Sequence, residues 1–223
     1  MNVRGKPLAF YPMHAAYKSK YVKHQFLSTD DKLIEEIGSQ LEHNLVERPK
    51  NLCDSKALGE DVFKYTYEKI IYERNELKEM PVVLLFCNAA TISSELIDAA
   101  IELLLEENET DSVVTVSKFN MWSPLRARKM DNENKYLKPF VPFEVFGDPS
   151  TLNCDRDSQG DVLFANMSLS VVKPNCLIEM SKGMLPQKWM GTKIKPLYQE
   201  FGCDIDYLWQ VPMVENWIKN NLE

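Results

Sequence analysis

Two aspartates one residue apart, Asp204 and Asp206, carry the chemistry in this 223-residue chain that is easiest to read from type and spacing. They sit in the stretch from Gly202 to Trp209, after a strand-like run from Lys193 to Tyr198 and before an amphipathic segment from Pro212 to Lys219. In extended backbone, side chains alternate with period two, so both carboxylates leave on one face. Carboxylates held that close repel unless a cation sits between them or one is protonated. Hard oxygen donors favour Mg²⁺ shared with the phosphates of a nucleotide. The other reading is a turn in which Asp206 caps the following helix. The tripeptide alone leaves both open.

Three further groupings bear on chemistry. Between Phe119 and Lys129, aromatic residues stand beside Arg126, Arg128 and Lys129. That mixture suits either a pocket wall for an anionic ligand, since arginine pairs bidentately with carboxylate, or a solvated basic turn. The acidic stretch from Asn153 to Asp161 lacks the twelfth-position glutamate and helical flanks of a calcium loop, and that reading is rejected. Cys154 has no histidine near it in sequence to activate a thiolate.

The elements that must position these residues follow an alternating order. Val22 to Ser28 reads as a strand, and Asp31 to Leu41 as a helix with Leu33, Ile34, Ile37 and Leu41 on one face. Leu58 to Glu76 is a second helix, and Pro81 to Phe86 is apolar on both faces, as a central parallel strand is. Ser93-Ser94 caps a helix running through Leu105, and Asp111 to Val116 supplies another strand. Asp161 to Val172 reads as a strand, and Pro174 to Met184 as a helix. The alternation is that of an α/β domain with a mostly parallel sheet and helices on both faces. Between Phe119 and Gln159 four prolines break up polar and aromatic residues without a sustained period. Such a long irregular segment is usually functional or covers a partner.

Composition excludes several classes. A hydrophobic fraction of 44% with 26% charged residues is that of a globular domain, and 223 residues suit one domain, 1–223. A net charge of −7 offers no basic face for nucleic acid. No apolar run reaches 18 residues, so no membrane-spanning helix is expected. Five cysteines, an odd number without CxxC spacing, read as reduced thiols of a cytoplasmic protein.

The order of the segments resembles the acylneuraminate cytidylyltransferase family, the CMP-sialic acid synthetases and their relatives. Gly5-Lys-Pro-Leu8 is similar to the family's stretch entering the first helix, and Ser28-Thr-Asp-Asp31 to the turn after its second strand. Glu47-Arg48-Pro49 with Leu52 resembles its Arg-Pro nucleotide segment, Asn166 its sugar-pocket asparagine, and Asp204-Ile-Asp206 its metal-binding pair. The resemblance implies a three-layer, Rossmann-like nucleotidyltransferase fold with an extended dimerisation insertion at about 119–160, and a homodimer. It implies transfer of CMP from CTP to a sialic-acid-like (nonulosonic) sugar acid, with pyrophosphate released. Asp204 and Asp206 would hold Mg²⁺, with Lys173 a further catalytic cation. Asn2, Arg4, Arg48, Ala57 and Asn88 would bind the nucleotide, and Asn88, Asn166, Arg126 and Arg128 the acidic sugar.

Departures from the family pattern define the alternatives. Members open on a strand and a Gly-Ser-Lys loop that cradles the triphosphate. Here only Asn2 corresponds to the end of that loop, and no Gly-Ser-Lys occurs elsewhere. The neighbouring strands are therefore expected to lack a hydrogen-bonding partner. Asn88-Ala-Ala-Thr91 stands in place of Gln-Pro-Thr-Ser-Pro, Met167 in place of a glycine, and Ser55-Lys56 in place of Asp-Thr. An impaired or inactive cytidylyltransferase-like protein is one alternative. A relative using 3-deoxy-octulosonate or a phosphonate is the other.

Overall fold

The computed structural model describes residues 1–54, 56–157 and 160–223. Ser55 and Gln159, both named in the sequence reading, lie outside the described residues. The chain divides into two compact units, one of residues 1–115 and 166–223, the other of residues 116–165.

The first unit opens on a hairpin of β1 (Asn2–Val3) and β2 (Lys6–Pro7), whose turn residues Arg4 and Gly5 both have positive φ, 48° and 76°. Two left-handed residues in a two-residue hairpin turn match the right-handed twist of the flanking strands. Then follow α1 (Phe10–Lys18), β3 (Phe26–Leu27), α2 (Lys32–Gln40), β4 (Asn44–Leu45), α3 (Gly59–Glu73), β5 (Val82–Leu84) and α4 (Ser94–Glu106). The helix starts are set locally. Asp31 accepts the amides of Leu33 and Ile34 ahead of α2, and Ser93 accepts that of Leu96 ahead of α4.

Next comes β6 (Ser112–Lys118), whose last three residues enter the second unit; among its described residues that unit also holds the hairpin of β7 (Arg128–Met130) and β8 (Leu137–Pro139) and four short 3₁₀ turns. The chain returns through β9 (Leu163–Val172), α5 (Pro174–Ile178), β10 (Ile194–Tyr198) and α6 (Val211–Asn221).

The α/β architecture stands, and the sheet is mixed. Strands run in the order β10-β6-β9-β5, with β9 antiparallel to β5, pairing Val82 with Val172 and Leu84 with Ser170. Alternation along the strands divides the faces. Val113, Leu169 and Val171 join Ala15 and Ala16 of α1 and Ile97, Ala100, Ile101 and Leu104 of α4 in one apolar cluster. From the other face Ser112 donates to the carbonyl of Met190, beside α5, which packs with α3.

β3 and β4 form a separate parallel pair, joining Phe26 to Asn44 and Leu27 to Leu45. Thus β5 ends one sheet, and β3 pairs only with β4 among the described residues. A cavity of about 770 Å³ is lined by Phe26 of β3 and Val83 of β5 and by residues flanking them, including Val22 and Leu85. The expected strand from Val22 to Ser28 is accordingly only two residues long. With one neighbour, the rest of the segment has no ladder to join.

Candidate functional site

The aspartate pair sits where its backbone is tied to the segment following β5. The amide of Cys203 donates to Thr91 Oγ1 at 3.1 Å, and the amide of Ile205 to the carbonyl of Asn88 at 2.9 Å. Asn88 Nδ2 returns a bond to the Ile205 carbonyl at 3.5 Å. The side chains of Cys203 and Ile205 pack into the apolar cluster of Val3, Ala90, Val214 and Trp217. Alternate residues 203 and 205 are therefore anchored, leaving Asp204 and Asp206 between and beyond them. Asp204 is half-buried and Asp206 exposed.

Gln210 closes the other side. Its Oε1 accepts the amides of Asp206 and Tyr207 at 2.8 and 2.7 Å, and its Nε2 donates to the Asp204 carbonyl at 3.1 Å. The helix-cap reading of Asp206 does not hold. The following 3₁₀ turn, Leu208–Gln210, is capped at Tyr207, and α6 begins at Val211.

Burial, and then the charge of Asp206, push the Asp204 carboxyl above its ordinary value. The same burial and both aspartate charges raise the Cys203 thiol to about 11, so it stays protonated at neutral pH and takes no nucleophilic role.

Beneath the loop lies a buried polar network. Asn166, 4% exposed, donates from Nδ2 to Gln199 Oε1 at 3.0 Å; its Oδ1 accepts from Thr115 Oγ1 at 2.7 Å and from the Ser168 amide at 3.1 Å. Gln199 Nε2 donates to the Thr91 carbonyl at 2.8 Å, and the hydroxyls of Thr91 and Ser168 bond at 2.7 Å. Asn166, expected at the sugar, thus sits within the interior framework under Gly202. Sequence reading missed Thr91, Ser168, Gln199 and Gln210. Gly202, two residues before Asp204 and shortly after a strand-like run, is a sequence signal of close backbone approach.

The remaining candidates fall into separate groups. Arg48 and Ala57 line the same cavity. Arg48 Nε donates to Ser28 Oγ at 2.9 Å and its Nη2 to the Ser28 carbonyl, which fixes the end of β3 to the chain after β4. The Ala57 amide is held by Asp54. Three buried polar atoms around this cavity, Gln25 Oε1, His43 Nδ1 and Thr66 Oγ1, have no hydrogen-bond partner among the described residues. Asn2 and Arg4 flank Val3 of the apolar cluster under the loop, and the Arg4 guanidinium pairs with Glu223 at 2.5 Å.

Lys173 is not brought to the aspartates. It follows Val172, which pairs with the start of β5, whereas Asn88 and Thr91 follow that strand's other end. Its ammonium donates to the Asn108 carbonyl. In the second unit, Arg126 donates to the Cys154 carbonyl at 2.7 Å, and Arg128 lies over the Phe143 ring.

Two oxygen-donor side chains held beyond the end of a strand form a place where α/β folds bind ligands. The donor set suits a hard divalent cation. No group of three or more His, Cys, Asp or Glu side chains able to hold a metal occurs among the described residues. A divalent cation held by these two carboxylates would take its other ligands from water or from a bound molecule's oxygens.

The sequence profile of the family described as Cytidylyltransferase matches residues 1–182. This chain belongs to that family. Among relatives of this cytidylyltransferase family member is the Helicobacter pylori protein named pseudaminic acid cytidylyltransferase and UDP-2,4-diacetamido-2,4,6-trideoxy-β-L-altropyranose hydrolase. It is 29% identical over 129 residues, 57% of this chain. The matched part is 24% of that protein, so the chain spans about a quarter of the curated relative's length. Among solved structures, CMP:2-keto-3-deoxy-manno-octonic acid synthetase complexed with CTP matches with TM-score 0.63 and 10% identity, over 99% of this chain and 90% of that one. The 4-diphosphocytidyl-2C-methyl-D-erythritol synthase of Anaerococcus prevotii matches with TM-score 0.63 and 12% identity, over 98% and 88%. These likenesses show that the chain has a Rossmann-like nucleotidyltransferase fold.

Proposed function

We propose that the chain transfers CMP from CTP to a nonulosonic, sialic-acid-like sugar acid and releases pyrophosphate. One observation carries the reading: in a member of the cytidylyltransferase family, the Asp204–Asp206 loop is anchored through Cys203 and Ile205 to the segment after β5. The relative named for pseudaminic acid supports a sugar acid as acceptor.

In the reaction, the acceptor's anomeric hydroxyl oxygen bonds to the α-phosphorus of CTP. The bond from that phosphorus to the bridging oxygen breaks, pyrophosphate leaves with the electron pair, and the hydroxyl proton passes to solvent. Asp204 and Asp206 would hold Mg²⁺, which when bound neutralises charge on the phosphates. Arg48, a fixed guanidinium fork beside the cavity, would orient the nucleotide, with Ala57 close by. The ordered Asp204–Asp206 loop contributes by having its geometry set before substrate arrives.

The second unit would form a homodimer contact. It exposes Trp122, Tyr136, Leu137, Phe140 and Val145, more large apolar surface than a short segment ordinarily leaves to water. No helix among the described residues is long and apolar enough to cross a membrane.

The reading is tested by incubating the protein with CTP, Mg²⁺ and a panel of sugar acids (sialic acid, pseudaminic acid, 3-deoxy-octulosonate) and identifying products by mass spectrometry. A CMP-conjugate of a nonulosonic acid is expected. Conjugation only to 3-deoxy-octulosonate, or to none of the panel, would overturn the assignment.

A further inference from the structure

We infer that Thr91 is a positioning residue, whose buried hydroxyl sets the Asp204–Asp206 loop at the separation a divalent cation requires. The inference rests on the cation role proposed above for the two aspartates. Thr91 is 0% exposed, so it reaches neither nucleotide nor acceptor and acts only through what it holds.

What it holds is specific. Thr91 Oγ1 accepts the Cys203 amide at 3.1 Å, lies 3.4 Å from the Cys203 carbonyl, and bonds to Ser168 Oγ at 2.7 Å. Its own carbonyl accepts from Gln199 Nε2. One residue therefore joins the backbone immediately before Asp204 to β9 and to the end of β10. Its χ1 is stiff because the side chain is β-branched, so the hydroxyl is fixed before any ligand binds. Ile205 is held separately by Asn88, and Asp204 lies between the two anchors.

This arrangement matters because the pair repels itself. Two like charges one residue apart repel, and a loop released from its anchors at Cys203 and Ile205 would relieve that repulsion by moving the carboxylates apart. Releasing Cys203 would lower cation affinity without touching a cation ligand. A buried polar network in which each partner is engaged transmits such a change more rigidly than an exposed bond does.

The test is Mn²⁺ binding to the full chain, followed by electron paramagnetic resonance with CTP present, alongside calorimetric binding of CMP without metal. The proteins compared are wild type, Thr91→Val, Thr91→Ser and Asp204→Asn. Thr91→Val, close in shape but lacking the hydroxyl, is expected to bind Mn²⁺ about ten-fold more weakly, the scale of one lost buried hydrogen bond. Its CMP affinity should stay within about two-fold, and Thr91→Ser should restore Mn²⁺ binding to near wild type. Mn²⁺ affinity unchanged in Thr91→Val, or CMP and Mn²⁺ weakened equally, would overturn the inference while Asp204→Asn still loses the ion. Equal Mn²⁺ binding by wild type and Asp204→Asn would instead overturn the cation reading itself, and this inference with it. Should circular dichroism show Thr91→Val unfolded, Ser168→Ala removes the other hydroxyl of the pair. A roughly three-fold loss of Mn²⁺ affinity is then expected, and no loss contradicts the inference.

Discussion

Gly202 packs directly against the carboxamide of Asn166: a β-carbon at 202 would stand 2.5 Å from Nδ2 and 2.7 Å from Cγ of that side chain. Asn166 cannot swing aside, because Thr115, Gln199 and Ser168 hold both ends of its amide. Gly202→Ala is therefore expected to destabilise the protein by roughly 1–3 kcal/mol, as overpacking a well-filled site does. Urea denaturation should show the midpoint falling. Nucleotide affinity should weaken too, because Cys203 and Asp204 are next in the chain. A variant with unchanged stability would mean that the loop and the network are not coupled.

The two aspartates should act as one unit. Asp204→Asn and Asp206→Asn are each expected to remove most Mg²⁺-dependent CTP binding in calorimetry. The melting temperature without metal should hold steady, or rise slightly in Asp204→Asn, since burial and Asp206 already disfavour the Asp204 charge. Unchanged CTP affinity in both variants would leave the loop without a ligand role.

Burial lowers the pKa of the His43 imidazole, whose Nε2 lies 3.3 Å from the Met13 carbonyl. In the unfolded chain the ring takes up a proton near its ordinary value of 6.5. Below that pH the unfolded state binds more protons than the folded one, so stability falls as pH drops toward the folded-state pKa and levels off beneath it. His43→Gln lacks this dependence. His14, also lowered by burial, is present in both proteins and cancels from the comparison. Urea midpoints at about pH 7.5 and about pH 5 should converge between variant and wild type at the lower pH. A pH-independent difference would contradict the assignment.

What could be read from the sequence was local. Asp31 and Ser93 announce helix starts because a cap needs only residues two or three positions away. The period-two spacing of Asp204 and Asp206 likewise needs no distant partner. Features that depend on distant partners were not legible. Asn88, expected at the ligand, is bonded to Ile205, 117 residues away, and Thr91 to Cys203 at a separation of 112. The helix expected from Pro174 to Met184 ends at Ile178 and gives way to a 3₁₀ turn at Met180–Lys182. There Gly183 meets the backbone of Lys188 so closely that no β-carbon fits. The strand from Val22 shortened for a tertiary reason as well, having β4 alone to pair with.

The most direct test of the central claim, that the Asp204–Asp206 loop serves CMP transfer, is pyrophosphate release from CTP. It should be followed with Mg²⁺ and a nonulosonic acid, in wild type and in Asp204→Asn. Release is expected to require all three components and to fall roughly a hundred-fold or more in the variant, the scale of losing one preorganised electrostatic group. Release that persists at the wild-type rate in Asp204→Asn, or that wild type fails to show with any sugar acid, would contradict the account.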